Sequence, residues 1–82
     1  MTAGFRNETV TFEIVEQIGV LNKKENGWQK EANIVVWNHR EPKLDIREWD
    51  ATHQRMSKGI VLTDDEVEVL IKALNEWKGV KK

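Results

Sequence analysis

Stretches of apolar and β-branched residues, separated by polar turns, predict a β-rich first part of the chain. Residues Thr9–Leu21 are mainly β-branched or apolar and predict a long first strand. Further strands are predicted over Trp28–Asn38, Lys43–Trp49 and Lys58–Leu62. Because each strand follows the previous one after a short polar connection, the pattern favours an antiparallel sheet.

The third predicted strand has the cleanest alternation and therefore fixes which side chains share a face. Leu44 and Ile46 fall on one face, and Asp45, Arg47 and Trp49 fall on the other. The first hairpin is less defined. A two-residue turn at Asn26-Gly27 pairs residue 19 with residue 34, whereas a longer loop pairs other residues, so the register stays open.

The pattern changes to helical spacing after the fourth strand. Thr63 followed by Glu66 predicts a capping box, in which each residue's side chain accepts from the other's backbone N–H. Val69 and Ala73 lie beside the main apolar stripe and are available to a partner helix. The stripe, which we expect to be core, comprises Val67, Leu70, Ile71 and Leu74 and continues to Trp77, for which core or dimer packing is expected.

These elements predict an α+β domain with a four-stranded antiparallel sheet followed by one C-terminal helix. The domain would span residues 9–82, after a flexible tail over residues 1–8. One helix can cover only one face of the sheet. The other face is therefore either exposed and functional or covered by another subunit.

The chain has four tryptophans and no tyrosine, more large rings than so small a core readily holds. Trp37 and Trp49 fall in strands near Lys43 and Arg47, an arrangement suited to stacking on unpaired nucleic-acid bases. The alternative for each tryptophan is burial. For Arg47 the alternative is an ion pair with a neighbouring carboxylate on a solvated sheet face.

The overall charge argues mildly against a nucleic-acid ligand, but its distribution along the chain softens that objection. The net charge is −1, but residues 22–58 contain eight basic and six acidic residues. Lys23, Lys24 and Lys30 form a small cluster around the first hairpin, where solvation of the hairpin tip is the alternative. Trp28 follows this turn, and the sequence favours surface packing and base stacking equally for its ring.

The sequence lacks the motifs of the common enzyme classes. There is no cysteine, no glycine-rich phosphate loop and no metal-binding spacing, so we expect no enzyme activity, metal or cofactor. His39 and His53 lie in polar connections and are expected to be solvated. The N-terminus has no long apolar stretch, which predicts neither a signal peptide nor a membrane span and favours a cytoplasmic protein.

Two motifs in the second half of the chain resemble one family. Leu44–Trp49 reads LDIREW and Lys58–Thr63 reads KGIVLT, followed by an acidic helix start. Their order and spacing are similar to those of the transcriptional positive cofactor four family, which are small single-stranded-DNA-binding transcriptional coactivators. The resemblance implies a curved sheet and a symmetric homodimer, with aromatic and basic ridges facing unpaired nucleic acid.

The resemblance also implies roles for particular residues. Arg47 matches the family's DNA-contacting arginine, and Trp49 matches its aromatic neighbour. Trp37 matches a stacking aromatic with one residue of slippage, and Lys58 lies beside the binding groove. The chain departs from the family at Asp50, where many relatives have a second aromatic residue.

We therefore predict single-stranded DNA binding with little sequence specificity, in transcription regulation or DNA maintenance. RNA is a second ligand that the sequence leaves open, and the transcription machinery is a candidate partner. The alternative is a dimeric module that binds a peptide on an exposed aromatic sheet face. Duplex recognition by the helix is disfavoured because its acidic start repels phosphate. The predicted binding residues are Lys23, Lys24, Trp28, Lys30, Trp37, Lys43, Arg47, Trp49 and Lys58.

Overall fold

The computed structural model describes residues 10–79, which form four strands and one helix. The strands are β1 (Phe12–Lys23), β2 (Gln29–Trp37), β3 (Lys43–Trp49) and β4 (Ile60–Leu62), and the helix is α1 (Asp64–Trp77). Neighbouring strands pair antiparallel in the order β1-β2-β3-β4, which confirms the predicted sheet and C-terminal helix. The predicted tail over residues 1–8 lies outside the described residues.

The first hairpin has a wider turn than Asn26-Gly27 alone. Lys23 pairs with Gln29, so five residues form the connection, and the backbone N–H of Lys24 donates to the Trp28 carbonyl at 2.8 Å. Gly27 adopts a φ of 94°, a conformation that favours glycine. The wider turn and a register shift between Val20 and Asn22 together pair Gly19 with Ala32 rather than with residue 34, so the two-residue-turn register is wrong.

Three β-bulges interrupt β1. The pairing register shifts between Ile14 and Glu16, between Gln17 and Gly19, and between Val20 and Asn22. An extra residue on one strand of a pair bends that strand and increases its twist. Three bulges in a strand of 12 residues therefore favour a strongly coiled sheet.

The coiling brings opposite corners of the sheet together. Phe12 pairs with Trp37 at one end of β2, and Trp49 pairs with Gln29 at the other end. In a flat strand these two ends would be about 26 Å apart, at 3.3 Å per residue. The Phe12 and Trp49 rings nevertheless lie 5.2 Å apart, centre to centre, so this face of the sheet is concave and the rings fill it.

Helix α1 begins at the predicted capping box. The Thr63 hydroxyl accepts from the Glu66 N–H at 3.2 Å, and a Glu66 carboxylate oxygen accepts from the Thr63 N–H at 2.9 Å. The helix packs against β3 and β4 on the convex face, which carries Ile46.

The expectation that the apolar stripe of α1 is core is wrong for the single subunit. No residue of α1 is buried, and Ile71 and Leu74 are exposed by 49% and 44%. Trp77 is 72% exposed, with the Lys78 ammonium 4.6 Å from its ring centre. The helix touches only the edge half of the sheet, so one subunit supplies too little surface to bury its stripe.

Candidate nucleic-acid interface

The concave face holds the rings that the sequence predicted to be exposed. Trp49 is fully buried, with its ring tilted against Phe12 and against the His53 imidazole at 5.6 Å. Trp37 is half-buried, and its ring centre lies 5.7 Å from that of Phe12. The expectation of an exposed Trp49 is therefore wrong, because the coiled sheet folds its own first strand over that ring.

Arg47 is held in a buried ion pair beside these rings. Its Nε lies 2.8 and 2.9 Å from the two carboxylate oxygens of Asp45, and its Nη2 lies 2.7 Å from one of them. Asp45 is fully buried, and the Arg47 side chain is 13% exposed. The guanidinium carbon lies 4.6 Å from the centre of the Trp37 ring. The alternative for Arg47, an ion pair with a neighbouring carboxylate, is thus correct, but the pair lies in the core rather than on a solvated face.

The connection between β3 and β4, residues 50–59, folds back against the sheet. An Asp50 carboxylate oxygen accepts from the backbone N–H groups of Gln54 and Arg55, at 3.0 and 3.1 Å. Donation from the Arg55 N–H is the main cause that lowers the pKa of Asp50. At the far end of the loop, the Ser57 hydroxyl accepts from the Glu48 N–H at 3.0 Å, which ties the loop to β3.

His53 anchors the middle of this loop to a buried carboxylate. Its Nε2 lies 2.9 and 3.0 Å from the two carboxylate oxygens of Glu31, which is only 1% exposed. Burial raises the pKa of Glu31, but hydrogen bonds from Asn33, His53 and Gln29 outweigh it, and the pKa lies below its ordinary value. His53 is half-buried, so the expectation that it is solvated is wrong, while His39 is exposed as expected.

A basic groove lies on the other side of the loop. It is open, has a volume of about 500 Å³, and brings together Lys30 of β2, Arg47 of β3 and Lys58. Neither lysine has an ion-pair partner within residues 10–79, and both are exposed. Gly59 passes so close to Arg47 that an added Cβ would collide with the arginine side chain and with the Ile46 carbonyl. Three of the nine predicted binding residues therefore share one groove.

The other predicted residues do not line this groove. Lys24 forms an ion pair with Glu48 at 2.9 Å, at the rim of the groove. Lys43 pairs opposite Val35 and shares the concave face, where it is half-buried. The remaining two, exposed Lys23 and half-buried Trp28, lie at the turn of the first hairpin.

Sequence reasoning missed the polar network under the concave face. Glu31 and Asn33 are buried on the same face of β2 as Trp37, and they lie directly opposite Arg47 and Asp45 of β3. The signal was present as alternation, since these polar side chains occupy every second position of β2. It was not decisive, because polar residues at alternate positions more commonly face solvent.

Other kinds of site receive no support from the described residues. No group of histidine and acidic side chains within residues 10–79 is arranged to hold a metal ion. No helix in that range has the length and apolar character needed to cross a membrane.

Comparison with known proteins finds a matching family model and a related protein. The family model of Transcriptional Coactivator p15 (PC4) matches residues 24–73, more than half of the chain. A protein of Treponema pallidum (strain Nichols), described only as uncharacterized, is 36% identical over 72 residues, which cover 88% of this chain and 85% of the relative. The matched family region contains both sequence motifs and every predicted binding residue except Lys23.

Proposed function

The chain belongs to the PC4 family of transcriptional coactivators, and from this membership and its basic groove we propose that it binds single-stranded DNA. The resemblance drawn from the two sequence motifs is thereby confirmed. Three finer statements that follow are proposals: that the ligand is single-stranded, which residues contact it, and that the chain forms a dimer.

The observation that carries the proposal is the convergence of Lys30, Arg47 and Lys58 on one groove. These residues come from three separate segments and are brought together only by the fold. Lys30 and Lys58 are free to neutralise phosphates, whereas the charge of Arg47 is already paired with Asp45. Few phosphates are contacted in this arrangement, so binding should depend only moderately on salt concentration.

Base stacking supplies the preference for an unpaired strand. Trp37 and Trp28 are each only half-buried, and Trp28 lies two residues before Lys30. Stacking on an aromatic ring contributes about 1–3 kcal/mol per base and tolerates every base type. A duplex hides these base faces, so we expect weak duplex binding and little sequence preference. RNA presents the same base faces and is expected to bind as well.

A titration that monitors tryptophan fluorescence tests the proposal. Oligo-dT should quench the emission at lower concentrations than the same sequence in duplex form. The variant Lys30→Gln/Lys58→Gln should bind more weakly, and the slope of log affinity against log salt should become shallower by about 1.4 for two lost phosphate contacts. Lys72→Gln, on the exposed side of α1, is the matched control and should leave both quantities unchanged. Equal binding of duplex, or an unchanged slope in the double variant, contradicts the proposal.

We also propose that the chain forms a homodimer through the convex face. Within residues 10–79 only three hydrophobic residues are buried, whereas eleven large hydrophobic residues are exposed. Between α1 and the sheet lies an open apolar groove of about 570 Å³. Val69 on its rim is 70% exposed, and Ile60 is 55% exposed. A second copy is the favoured occupant, because a symmetric dimer brings two such faces together and buries both.

Sedimentation at micromolar concentration tests the dimer. The wild-type protein should sediment at twice the mass of the 9.6 kDa chain. Val69→Glu should give a monomer, because it places a charge in the interface. Val15→Glu, at an exposed position of β1 outside the groove, is the matched control and should remain dimeric. A monomeric wild type, or a dimer unaffected by Val69→Glu, contradicts the proposal.

Membership of a coactivator family supports a role in transcription regulation, with the transcription machinery as a partner. The peptide-binding alternative required an exposed aromatic sheet face. Trp49 is buried, so the aromatic face that this alternative requires is reduced to the half-buried Trp37. Residence in the cytoplasm stays a prediction.

A further inference from the structure

One acidic side chain lines the basic groove. Among the described residues that form its walls, Glu48 is the only acidic one, and Lys30, its direct partner in the strand pairing, lines the groove beside it. Directly paired side chains lie on the same face of a sheet, with Cβ atoms about 4.5–5.5 Å apart. A phosphate held by Lys30 would therefore lie close to the Glu48 carboxylate and be repelled by it.

The Glu48 carboxylate is paired with Lys24, which does not itself line the groove. Oε1 of Glu48 lies 2.9 Å from the Lys24 Nζ, although the two residues are 24 positions apart in the chain. Lys30 lies directly opposite Glu48 but forms no ion pair within residues 10–79. Glu48 thus neutralises a lysine of the hairpin turn and leaves Lys30 free.

Backbone hydrogen bonds fix both partners of this ion pair. The Lys24 N–H donates to the Trp28 carbonyl at 2.8 Å, and the Lys24 carbonyl accepts from the Gly27 N–H at 3.1 Å. The Glu48 N–H donates to the Ser57 hydroxyl at 3.0 Å, and the Glu48 carbonyl accepts from the Ser57 N–H at 2.9 Å. The hairpin turn and the β3–β4 loop therefore hold the two charges together at the rim of the groove.

The ion pair contributes little to the stability of the fold. The side chains of Lys24 and Glu48 are 45% and 22% exposed, and water and salt screen ion pairs that solvent can reach. A phosphate is a strong alternative acceptor for a lysine ammonium. The effect of the pair is therefore expected on binding rather than on folding.

We propose that Glu48 limits the affinity of the groove for a nucleic-acid strand by keeping Lys24 from the phosphates, an inference that rests on the proposed single-strand binding. While the two are paired they add no net charge to the groove, and only Lys30 and Lys58 neutralise phosphates. Removal of the carboxylate charge releases Lys24 to bind one further phosphate. The limit on affinity shortens the lifetime of the complex, so the protein leaves the strand more readily.

Titrations of oligo-dT at several salt concentrations test the inference with Glu48→Gln, which removes the charge and keeps the shape of the side chain. The variant should bind about tenfold more tightly, the contribution of one charge-assisted contact. The slope of log affinity against log salt should become steeper by about 0.7, for one added phosphate contact. Glu25→Gln, an exposed glutamate of the same hairpin turn that does not line the groove, is the matched control and should leave both quantities unchanged.

A second substitution identifies the cation that is released. Adding Lys24→Gln to Glu48→Gln should return the salt slope to the wild-type value and remove the gain in affinity. Lys24→Gln alone should weaken binding, because it leaves the Glu48 charge beside the strand without its partner. Glu48→Gln and Glu25→Gln should both unfold at the urea concentration that unfolds the wild type, since an exposed ion pair stabilises the fold little.

Each contrary result has its own meaning. Wild-type affinity and slope in Glu48→Gln overturn this inference, while single-strand binding stands. An equal gain in Glu25→Gln shows that overall charge, rather than the position of Glu48, sets the affinity, and it overturns the inference. A slope that stays steep in the double variant shows that Lys24 is not the added contact and also overturns it. Failure of the wild type to bind oligo-dT overturns the proposed function itself.

Discussion

Removal of the Arg47 guanidinium should destabilise the domain severely. In the variant Arg47→Met the side chain keeps its apolar length but loses the three short contacts to Asp45. Asp45 is fully buried and would be left without its charged partner. Removal of one member of a buried ion pair costs about 3–5 kcal/mol, since the stranded charge stays desolvated. Loss of the cation–π contact with Trp37 adds to this cost.

That cost is a large share of the total stability. At about 0.05–0.15 kcal/mol per residue, a chain of 82 residues is stable by about 4–12 kcal/mol. Urea unfolding followed by tryptophan fluorescence measures the change, at one fixed protein concentration because a dimer's apparent stability depends on it. Arg40→Met, an exposed arginine in the turn between β2 and β3, is the matched control and should change stability by less than about 0.5 kcal/mol.

A double variant separates the ion pair from the packing around it. Asp45→Asn combined with Arg47→Met removes both charges and should recover about 1–3 kcal/mol relative to Arg47→Met alone. If Arg47→Met unfolds at the same urea concentration as Arg40→Met, the buried pair does not exist in solution. A double variant no more stable than the single one would show that the cost comes from packing rather than from a stranded charge.

Two further predictions follow from burial on the concave face. Trp49→Ala should cost about 3–5 kcal/mol of stability, whereas Trp37→Ala should cost less stability and should weaken binding of oligo-dT. Thermal melts and oligo-dT titrations of both variants measure these changes. A larger stability loss for Trp37→Ala than for Trp49→Ala would contradict the placement of the rings. The lowered pKa of Glu31 stabilises the fold above its ordinary value of 4.5, and this contribution is lost as the pH falls through the lower pKa of the folded state. Urea midpoints measured from neutral to acid pH should therefore fall less steeply for Glu31→Gln than for wild type, and parallel curves would exclude Glu31 as a contributor.

Much of the local structure was predictable because it depends on short-range patterns. Alternation in β3 placed Leu44 and Ile46 on one face of the strand and Arg47 and Trp49 on the other face. The strand pairing confirms that placement. The helix start at Thr63 was predictable from two side chains that cap each other's backbone. The two motifs of the second half also sufficed to indicate the family.

The candidate site was predictable only in part. Lys30, Arg47 and Lys58 were all singled out from the sequence, but their convergence on one groove depends on strand register and on the path of the β3–β4 loop. The register of the first hairpin was also open, because β1 and β2 are joined by five residues where the Asn26-Gly27 pair suggested a turn of two. No local pattern distinguishes these alternatives, because both place acceptable residues in the turn.

The sequence by itself determined the order of the strands and helix, the residues that share each strand face, and the family. Only the tertiary structure decided which face is inside. The three bulges of β1 coil the sheet until Phe12 meets Trp49, so the face expected to present rings to solvent became the core. Coiling accumulates over many residues and strand pairs, whereas alternation reports only the direction of neighbouring side chains. For that reason the pattern identified the two faces but could not show which of them the chain would fold around.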